Sequence, residues 1–497
     1  MSTFAKKRII LFSDGTGNTM TKNRGSNVWK LYEAIDLSQS VHDDTKQIVF
    51  YDDGVGTDKF KPLKILGGAF GIGLKKNIIQ LYVDLCRTYD YEDETNDEIF
   101  MFGFSRGAYT VRTLNGLIQC CGIIENAKSM TTEQLYKTAK KGYAAFRTQF
   151  KRASIVRSVK NPAADRKCND FRKKYCIQRD IPIKFLGVWD TVEAVGLPFA
   201  EITSIWNQLV YPFKFPDLKL SPNVEKACQA LAIDDERKTF HPILWDESTD
   251  ADKKRIEQVW FAGMHSNVGG GYSRHGISLI SLNWMMKKAK DLGLRYKEAR
   301  ELEYIQSANV HDKMHNSRAG LAAFYRYTPR NVQILCSKNE VTTKIHNSVY
   351  ERILLSTGSY APSNISPDLD NINSPISEKS WLIKARILTN TVFVAMCIFL
   401  IYKYHSLKNN EWLSSQSDPM CVPQWFYDIS EKIFSYIPFG SSIHNNLLNY
   451  YYFNKVSLII IIALFITLFI INKLIRHTQN KYYNHFWHDF KMKNISK

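Results

Sequence analysis

Short, bulky apolar runs alternate with amphipathic stretches from the N-terminus to about residue 290. Arg8–Ser13 predicts a strand, which runs into the turn-forming loop Asp14-Gly15-Thr16-Gly17-Asn18. A helix follows near Asn27–Ile35, then a second strand over Gln47–Tyr51 that ends at Asp52-Asp53-Gly54. Leu74–Tyr89 carries Ile78, Ile79, Leu81, Tyr82 and Leu85 at helical spacing. The third apolar run, Ile99–Phe102, passes through Gly103-Phe104-Ser105-Arg106-Gly107 into a helix over Ala108–Leu117. A fourth strand is predicted at Ile183–Val188 and a fifth at Ile256–Phe261, with a helical stretch between them and a further helix near Ile277–Leu292. A strand buried on both faces reads as a continuous apolar run, and the helices between such strands act as crossovers. The alternation therefore predicts an α/β fold, a mostly parallel sheet covered by helices, over residues 1–355.

Two departures from this rhythm matter. Residues 131–180 read as a basic helical insertion, with Lys140, Lys141, Lys151, Arg152, Arg172, Lys173 and Lys174; a solvated helical surface is favoured over a phosphate-binding patch. Beyond residue 355 the composition changes altogether. Residues 356–383 are rich in Ser, Asn and Pro and read as a linker. Residues 387–402 and 456–471 carry no charged side chain, and with their flanks they predict two transmembrane helices, 384–404 and 455–475, joined by a loop over 405–454 and followed by a basic tail over 476–497. Lys384 and Arg386 precede the first segment, while Lys473, Arg476 and Lys481 follow the second. Positive charge collects on the cytoplasmic side, so a multi-pass membrane protein with both termini cytoplasmic is expected.

Composition narrows the picture only modestly. The chain has 66 Lys and Arg against 48 Asp and Glu, a balance that suits an anionic membrane surface, nucleic acid or plain solubility. With two apolar segments in the same chain, the membrane reading is preferred and no nucleic-acid partner is expected. The nine cysteines are scattered, only Cys120 and Cys121 are close in sequence, and neither a disulfide framework nor a zinc pattern emerges. Lys6-Lys7-Arg8 leads directly into a short strand rather than the apolar core of a signal peptide. Oligomeric state is not legible.

The candidate chemistry lies where the apolar runs end. Gly103-Phe104-Ser105-Arg106-Gly107 is a Gly-x-Ser-x-Gly pentapeptide between a strand and a helix, the setting of a nucleophile elbow. A serine hydroxyl needs a general base in hydrogen-bond reach and a carboxylate to orient that base. Ser105 is followed in chain order by Asp190, at the end of the fourth strand, and by His265, just past the fifth. Asp190 also fits a helix N-cap, with Glu193 at the third position. His265 opens the run His265-Ser266-Asn267-Val268-Gly269-Gly270-Gly271-Tyr272; His241 and His275 are reserves. An oxyanion would be held by the Arg106 N–H and by a second strand-end loop, for which Gly15 and Thr16 are the candidates. Asp14 with Asp52 and Asp53 also suits a cation, as in phosphatases with an aspartate on the first strand, and Gly67–Gly73 superficially suggests a phosphate loop. It lacks the Gly-Lys-Ser/Thr ending.

Taken together, Asp14-Gly15-Thr16, Gly54-Val55-Gly56-Thr57, Gly67-Gly68-Ala69-Phe70-Gly71, Gly103–Ala108, Val188–Val192, Asp235-Glu236-Arg237 and His265–Tyr272 resemble, in this order, the α/β-hydrolase-like domain of the type VI secretion phospholipase effectors of the first lipase family. The resemblance covers roughly residues 5–330. It implies a Ser105–Asp190–His265 triad and hydrolysis of glycerophospholipid acyl esters without a cofactor. One position departs: the family often has Asp after His-Ser, where this chain has Asn267, so a negative charge near the base is missing. The expectation is a membrane-anchored serine hydrolase of the phospholipase A type, with a phospholipid substrate. Two alternatives are a non-catalytic membrane-tethered interaction module on a hydrolase fold, and an esterase or thioesterase of a soluble acyl substrate. Whether a lid covers the site is not legible in the sequence; residues 131–180 and 197–225 are where one would lie.

Overall fold

The computed structural model describes residues 6–15, 25–38, 45–54, 69–91, 97–149, 162–192, 218–317, 328–355, 360–362, 364–365 and 455–495, with isolated positions at 325, at 431 and between 385 and 399. The chain forms two compact units, one of residues 1–375 with 486–497 and one of residues 376–485.

In the first unit the chain order is β1 (Lys7–Ser13), α1 (Asn27–Ala34), β2 (Lys46–Asp52), α2 (Ala69–Thr88), β3 (Glu98–Phe104), α3 (Arg106–Cys121), α4 (Thr132–Arg147), α5 (Pro162–Tyr175), β4 (Ile183–Trp189), β5 (Val224–Ala232), α6 (Asp250–Arg255), β6 (Ile256–Phe261), α7 (His265–Gly269), α8 (Gly276–Lys290), α9 (Glu298–Ser307), α10 (Val332–Ser337) and α11 (Asn347–Leu355). The strands form one six-stranded sheet in the order β2-β1-β3-β4-β5-β6. Every pairing is parallel. The chain steps outward from β1 to β2, then returns to the other side of β1 for β3. The carboxyl ends of β1 and β3 are therefore the point where connections diverge, the usual place for a site in an open α/β sheet.

The bulky runs fill a core on each face of the sheet. Ile9, Leu11, Ile99 and Met101 pack with α2, α3 and α4, whereas Ile10, Phe12, Phe100, Phe102 and Phe104 pack toward α1 and α8. Each fully buried side chain of this size contributes about 1.5–3 kcal/mol, and this double burial is why the strands show no polar alternation. The basic insertion is not merely a solvated surface. Its helices turn Leu135, Ala139, Tyr143, Phe146 and Phe171 into the core beside α3.

One expectation needs correction. The sequence pattern placed no strand between Trp189 and Ile256, yet Val224–Ala232 is β5, in the interior of the sheet. Its inward residues are small, Cys228, Ala230 and Ala232, because α8 presses Leu282 and Met285 onto that face. Alanine is a weak strand former, and the surroundings override that preference here. The membrane segments are described only in part. Among the described residues no helix is long and apolar enough to cross a membrane. The first apolar segment, 387–402, falls largely outside the described residues. The second opens a helix over Lys455–Ile495, α12, whose uncharged run 456–472 lies between Lys455 and Lys473. That run exposes Ile459, Phe465, Ile466, Phe469 and Ile470. The cysteines among the described residues are free thiols.

Candidate active site

Ser105 occupies the turn between β3 and α3 with φ 59° and ψ −117°, a strained backbone that a non-glycine residue keeps only when its surroundings enforce it. The enforcement is visible at the two flanking glycines. A Cβ on Gly103 would meet the Gly107 carbonyl oxygen at 2.6 Å, and one on Gly107 would meet the Ser13 carbonyl oxygen at 2.0 Å. The turn is that tight because α3 starts directly against the end of β1. The Ser105 N–H donates to the Trp189 carbonyl (2.9 Å), tying the turn to β4.

Asp190 follows β4 with φ 42°, and its N–H donates to the Ala230 carbonyl of β5 (2.8 Å). His265 follows β6 as the first residue of the short helix α7. The sequence suggested a tight loop there; the chain instead makes one helical turn and then reverses at Gly270 (φ 84°) and Gly271 (φ 107°). Gly269 lies so close to Phe104 that a Cβ would come within 1.9 Å of its ring. Because all six strands run parallel, these strand ends share one edge of the sheet.

The side chains meet in a line. His265 Nε2 lies 2.7 Å from Ser105 Oγ, and His265 Nδ1 lies 2.5 Å from Asp190 Oδ2. The carboxylate draws the imidazole proton to Nδ1, which leaves Nε2 as the acceptor for the serine hydroxyl. Ser105, His265 and Asp190 are all buried. The imidazole sits between Phe104 (ring centroids 4.7 Å apart) and the edge of Phe240 (5.1 Å). Burial lowers the His265 pKa, and the hydrogen bond and charge of Asp190 oppose that effect in part. For Asp190 itself burial pushes upward, but the Arg330 guanidinium and the His265 hydrogen bond prevail and hold the carboxyl well below the usual range.

Arg330 is the participant that the sequence did not suggest. It is fully buried and grips Asp190 through both oxygens, Nη1 to Oδ1 at 2.7 Å and Nη2 to Oδ2 at 2.8 Å. It also donates to the Ala232 and Phe240 carbonyls. Ala232 N–H donates to Asp190 Oδ1 (3.0 Å), so the carboxylate receives four hydrogen bonds, while Glu193 of the N-cap reading lies outside the described residues. A second ion pair stands behind the base. Asp235 accepts the His265 backbone N–H (3.2 Å) and is held by Arg237 Nε (3.0 Å) and Nη2 (2.6 Å). The reserve histidines have other partners: His241 Nε2 bonds the Thr328 carbonyl (2.9 Å), and His275 is half-buried with Nδ1 near the Ser273 carbonyl (3.2 Å).

Asn267, the departure from the family pattern, faces away from the base. Its Oδ1 accepts the His315 N–H at 3.0 Å. Of the oxyanion candidates, Arg106 is the first residue of α3, where helix N–H groups point outward along the axis. Burial lowers the Arg106 side-chain pKa to about 10. Gly15 N–H donates to its neighbour Asp14 (2.6 Å), and Thr16 lies outside the described residues. Asp14 also accepts from Ser26 Oγ (2.6 Å) and Tyr51 OH (2.7 Å), while Asp52 accepts from Ser13 Oγ (2.9 Å) and Asn77 Nδ2 (2.8 Å). Both Asp14 oxygens and Asp52 Oδ2 thus have donors within the protein, and among the described residues no group of three or more His, Cys, Asp or Glu is arranged to hold a metal. The candidate lid segment 197–225 is largely outside the described residues, as is Gly67-Gly68.

These features define an α/β protein with a parallel sheet and a strained Gly-x-Ser-x-Gly turn at its carboxyl edge. Residues 7–288 match the type VI secretion system (T6SS) family described as "Phospholipase effector Tle1-like, catalytic domain", and the chain belongs to that family. The uncharacterized protein YEL023C of Saccharomyces cerevisiae is 26% identical over 251 residues, 48% of this chain and 32% of that protein. Two solved structures are similar. The crystal structure of an uncharacterized protein from Pseudomonas aeruginosa has 17% identity and a TM-score of 0.33, over 60% of this chain and 49% of that one. The structure of the Tle1 effector bound to the VgrG spike from the Type 6 secretion system has 19% identity and a TM-score of 0.29, over 54% and 52%. The chain spans about a third of the yeast protein and about half of each solved chain.

Proposed function

We propose that this protein is a membrane-associated serine hydrolase that cleaves acyl esters of glycerophospholipids, a phospholipase A-type activity. The observation that carries the reading is the hydrogen-bonded line from Ser105 through His265 to Asp190, on a strained turn at the sheet edge. Membership of the phospholipase effector family supports the substrate class. In this mechanism Ser105 Oγ attacks the acyl carbonyl while His265 Nε2 takes its proton. Asp190 keeps Nδ1–H in place and stabilises the imidazolium. The Arg106 N–H, at the start of α3, donates to the oxyanion, an interaction worth about 10²–10³ in rate. Gly15 would join only by releasing its hydrogen bond to Asp14. The imidazolium then protonates the departing glycerol oxygen, and the lysophospholipid leaves. Water, deprotonated by His265, attacks the acyl-serine and frees the fatty acid. The cycle uses no cofactor.

Membrane association belongs to the same proposal. The exposed apolar residues of α12 and the uncharged run 387–402 supply the lipid contact, and the flanking Lys and Arg favour cytoplasmic termini. The full chain in detergent should react with a fluorophosphonate probe, and Ser105→Ala and His265→Ala should abolish the labelling. Fatty-acid release from phosphatidylglycerol vesicles should show the same dependence. A folded wild-type chain that does not label would overturn the reading, and cleavage of a soluble ester with no vesicle turnover would move it to an esterase. Flotation with those vesicles should be lost in Phe465→Glu/Phe469→Glu, and carbonate extraction separates insertion from surface attachment.

A further inference from the structure

Resting on the hydrolase reading above, we propose that Arg330 is a positioning residue of the reaction. By clamping both oxygens of Asp190 it keeps the carboxylate ionised and turned toward His265, and so fixes the histidine tautomer that can accept the Ser105 proton. Arg330 lies 65 positions beyond His265 and outside the family-matched residues 7–288.

The argument starts from burial. Asp190 and Arg330 are both at 0% exposure, so neither charge is stabilised by water. Burial alone raises the proton affinity of a carboxylate, so Asp190 stays ionised only through partners that favour its charge. Protonated Asp190 would donate to His265 Nδ1, the imidazole proton would move to Nε2, and Nε2 would then face Ser105 as a donor. That tautomer cannot accept the hydroxyl proton, and acylation stops. The guanidinium prevents this in two ways. Its charge favours the ionised carboxylate, and its fork meets both oxygens with near-parallel bonds of 2.7 and 2.8 Å, a geometry that an ammonium cannot reproduce.

The surrounding charges do not replace it. The Asp235–Arg237 pair is internally neutralised and contacts the His265 backbone rather than Asp190. Asp234 accepts from Gly263 N–H and Tyr360 OH, and His241 is engaged with Thr328. Removal of the Arg330 charge would favour the first protonation of the coupled Asp190–His265 pair, whichever partner takes the proton. Proton uptake at either site disables the base, so the acid limb of the rate profile moves toward higher pH.

The test is kcat/KM for p-nitrophenyl butyrate, measured on the full chain in detergent from about pH 5 to about pH 9, for wild type, Arg330→Gln and Arg330→Lys. Arg330→Gln should shift the acid limb upward by about one unit or more and regain part of its rate in alkali. Arg330→Lys should keep the wild-type limb and KM while kcat falls about tenfold, because it restores charge but not the fork. An Arg330→Gln limb that coincides with wild type, at whatever rate, would overturn the proposal and leave Arg330 as a brace for the Ala232 and Phe240 carbonyls. If Arg330→Gln does not fold, Arg330→Lys decides: the expected fall in kcat supports the clamp, and wild-type kinetics overturn it. Failure of the hydrolase reading would look different, since wild type itself would not label with fluorophosphonate or Ser105→Ala would label equally well.

Discussion

Gly107→Ala tests the elbow's geometry apart from its chemistry, because it alters no side chain that touches Ser105. A Cβ at this position would lie 2.0 Å from the Ser13 carbonyl oxygen and 2.6 Å from the Asp14 carbonyl oxygen. Ordinary contact begins near 3.4 Å, so about 1.4 Å of separation would have to be found. Both obstacles are backbone atoms of an interior strand end, and Asp14 N–H is bonded to the Asp52 carbonyl (3.0 Å), so the start of α3 is what moves. Overpacking of this kind costs about 1–3 kcal/mol, and two rigid carbonyls put it at the upper end, which lowers Tm by roughly 5 °C. The movement also carries Ser105 away from His265, and a misplacement of about 1 Å costs about 10²-fold in rate. Gly116→Ala is the control in the same helix. Its Cβ would meet only the Phe146 ring, at 3.0 and 3.3 Å, and helix propensity returns up to about 1 kcal/mol, so the change should be near neutral. The assay is the second-order rate of fluorophosphonate labelling beside thermal unfolding of the full chain. Wild-type labelling and Tm in Gly107→Ala would refute the close approach of α3 to β1.

Three further outcomes are expected. Burial holds His265 below its ordinary value against the opposing Asp190 charge, and the base must be neutral, so kcat/KM should reach half its plateau below about pH 6.5; a half-point above pH 7 would contradict this. Burial pushes the Asp52 carboxyl up to about 6, so the stability it contributes is complete below its unfolded value near 4 and is lost as pH rises through 6. Asp52→Asn should therefore be more stable than wild type by about 1–2 kcal/mol above pH 7 and equal to it near pH 4, and urea midpoints that show no such pH dependence would sink the argument. Trp487 is fully buried with Nε1 donating to the Pro362 carbonyl (2.7 Å), so Trp487→Ala should cost about 3–5 kcal/mol and hasten proteolysis near residue 362; an unchanged cleavage pattern would argue against that docking.

The legible parts of this molecule are those in which local chemistry and tertiary role coincide. Ile99–Phe102 reads as a strand because its residues are large on both faces, and Gly103 and Gly107 read as a turn because no other residue fits between β1, β3 and α3. Ser105, Asp190 and His265 each close an apolar run, so a parallel sheet brings them to one edge without any further information. β5 escaped because its demand is for smallness: Cys228, Ala230 and Ala232 exist to admit α8, and nothing in Val224–Ala232 itself announces a strand. Arg330 escaped for a related reason. Tyr327-Thr328-Pro329-Arg330 carries no motif, and the arginine acquires meaning only when the chain is laid along residues 236–241, with Thr328 N–H on the Glu236 carbonyl (2.8 Å). Asn267 misled in the opposite direction, since its position in a histidine motif suggested an electrostatic part in the chemistry and its side chain instead pins His315.

Ser105, Asp190 and His265, and part of what holds them, come from different parts of the chain. Residues 7–288 supply Ser105, Asp190 and His265, and residues 328–365 supply what those strand ends lack. Arg330 answers the buried charge of Asp190. Asn364 donates to the Ile233 carbonyl and accepts the Val332 N–H (3.2 Å), while Tyr360 OH donates to Asp234 (2.8 Å), the neighbour of the aspartate that receives the His265 N–H. Burial pushes Asp234 up to about 6, so that hydrogen bond counters a real desolvation cost. Trp487 then closes over Pro362 from the far end of the sequence. Buried polar groups without partners cost about 1–3 kcal/mol each, and a buried unpaired charge costs more. A fragment cut at residue 288 would keep Ser105, Asp190 and His265 and leave Asp190, Asp234 and the Ile233 carbonyl without these partners, so the proposed chemistry of this sheet edge would depend on chain beyond the residues proposed to react.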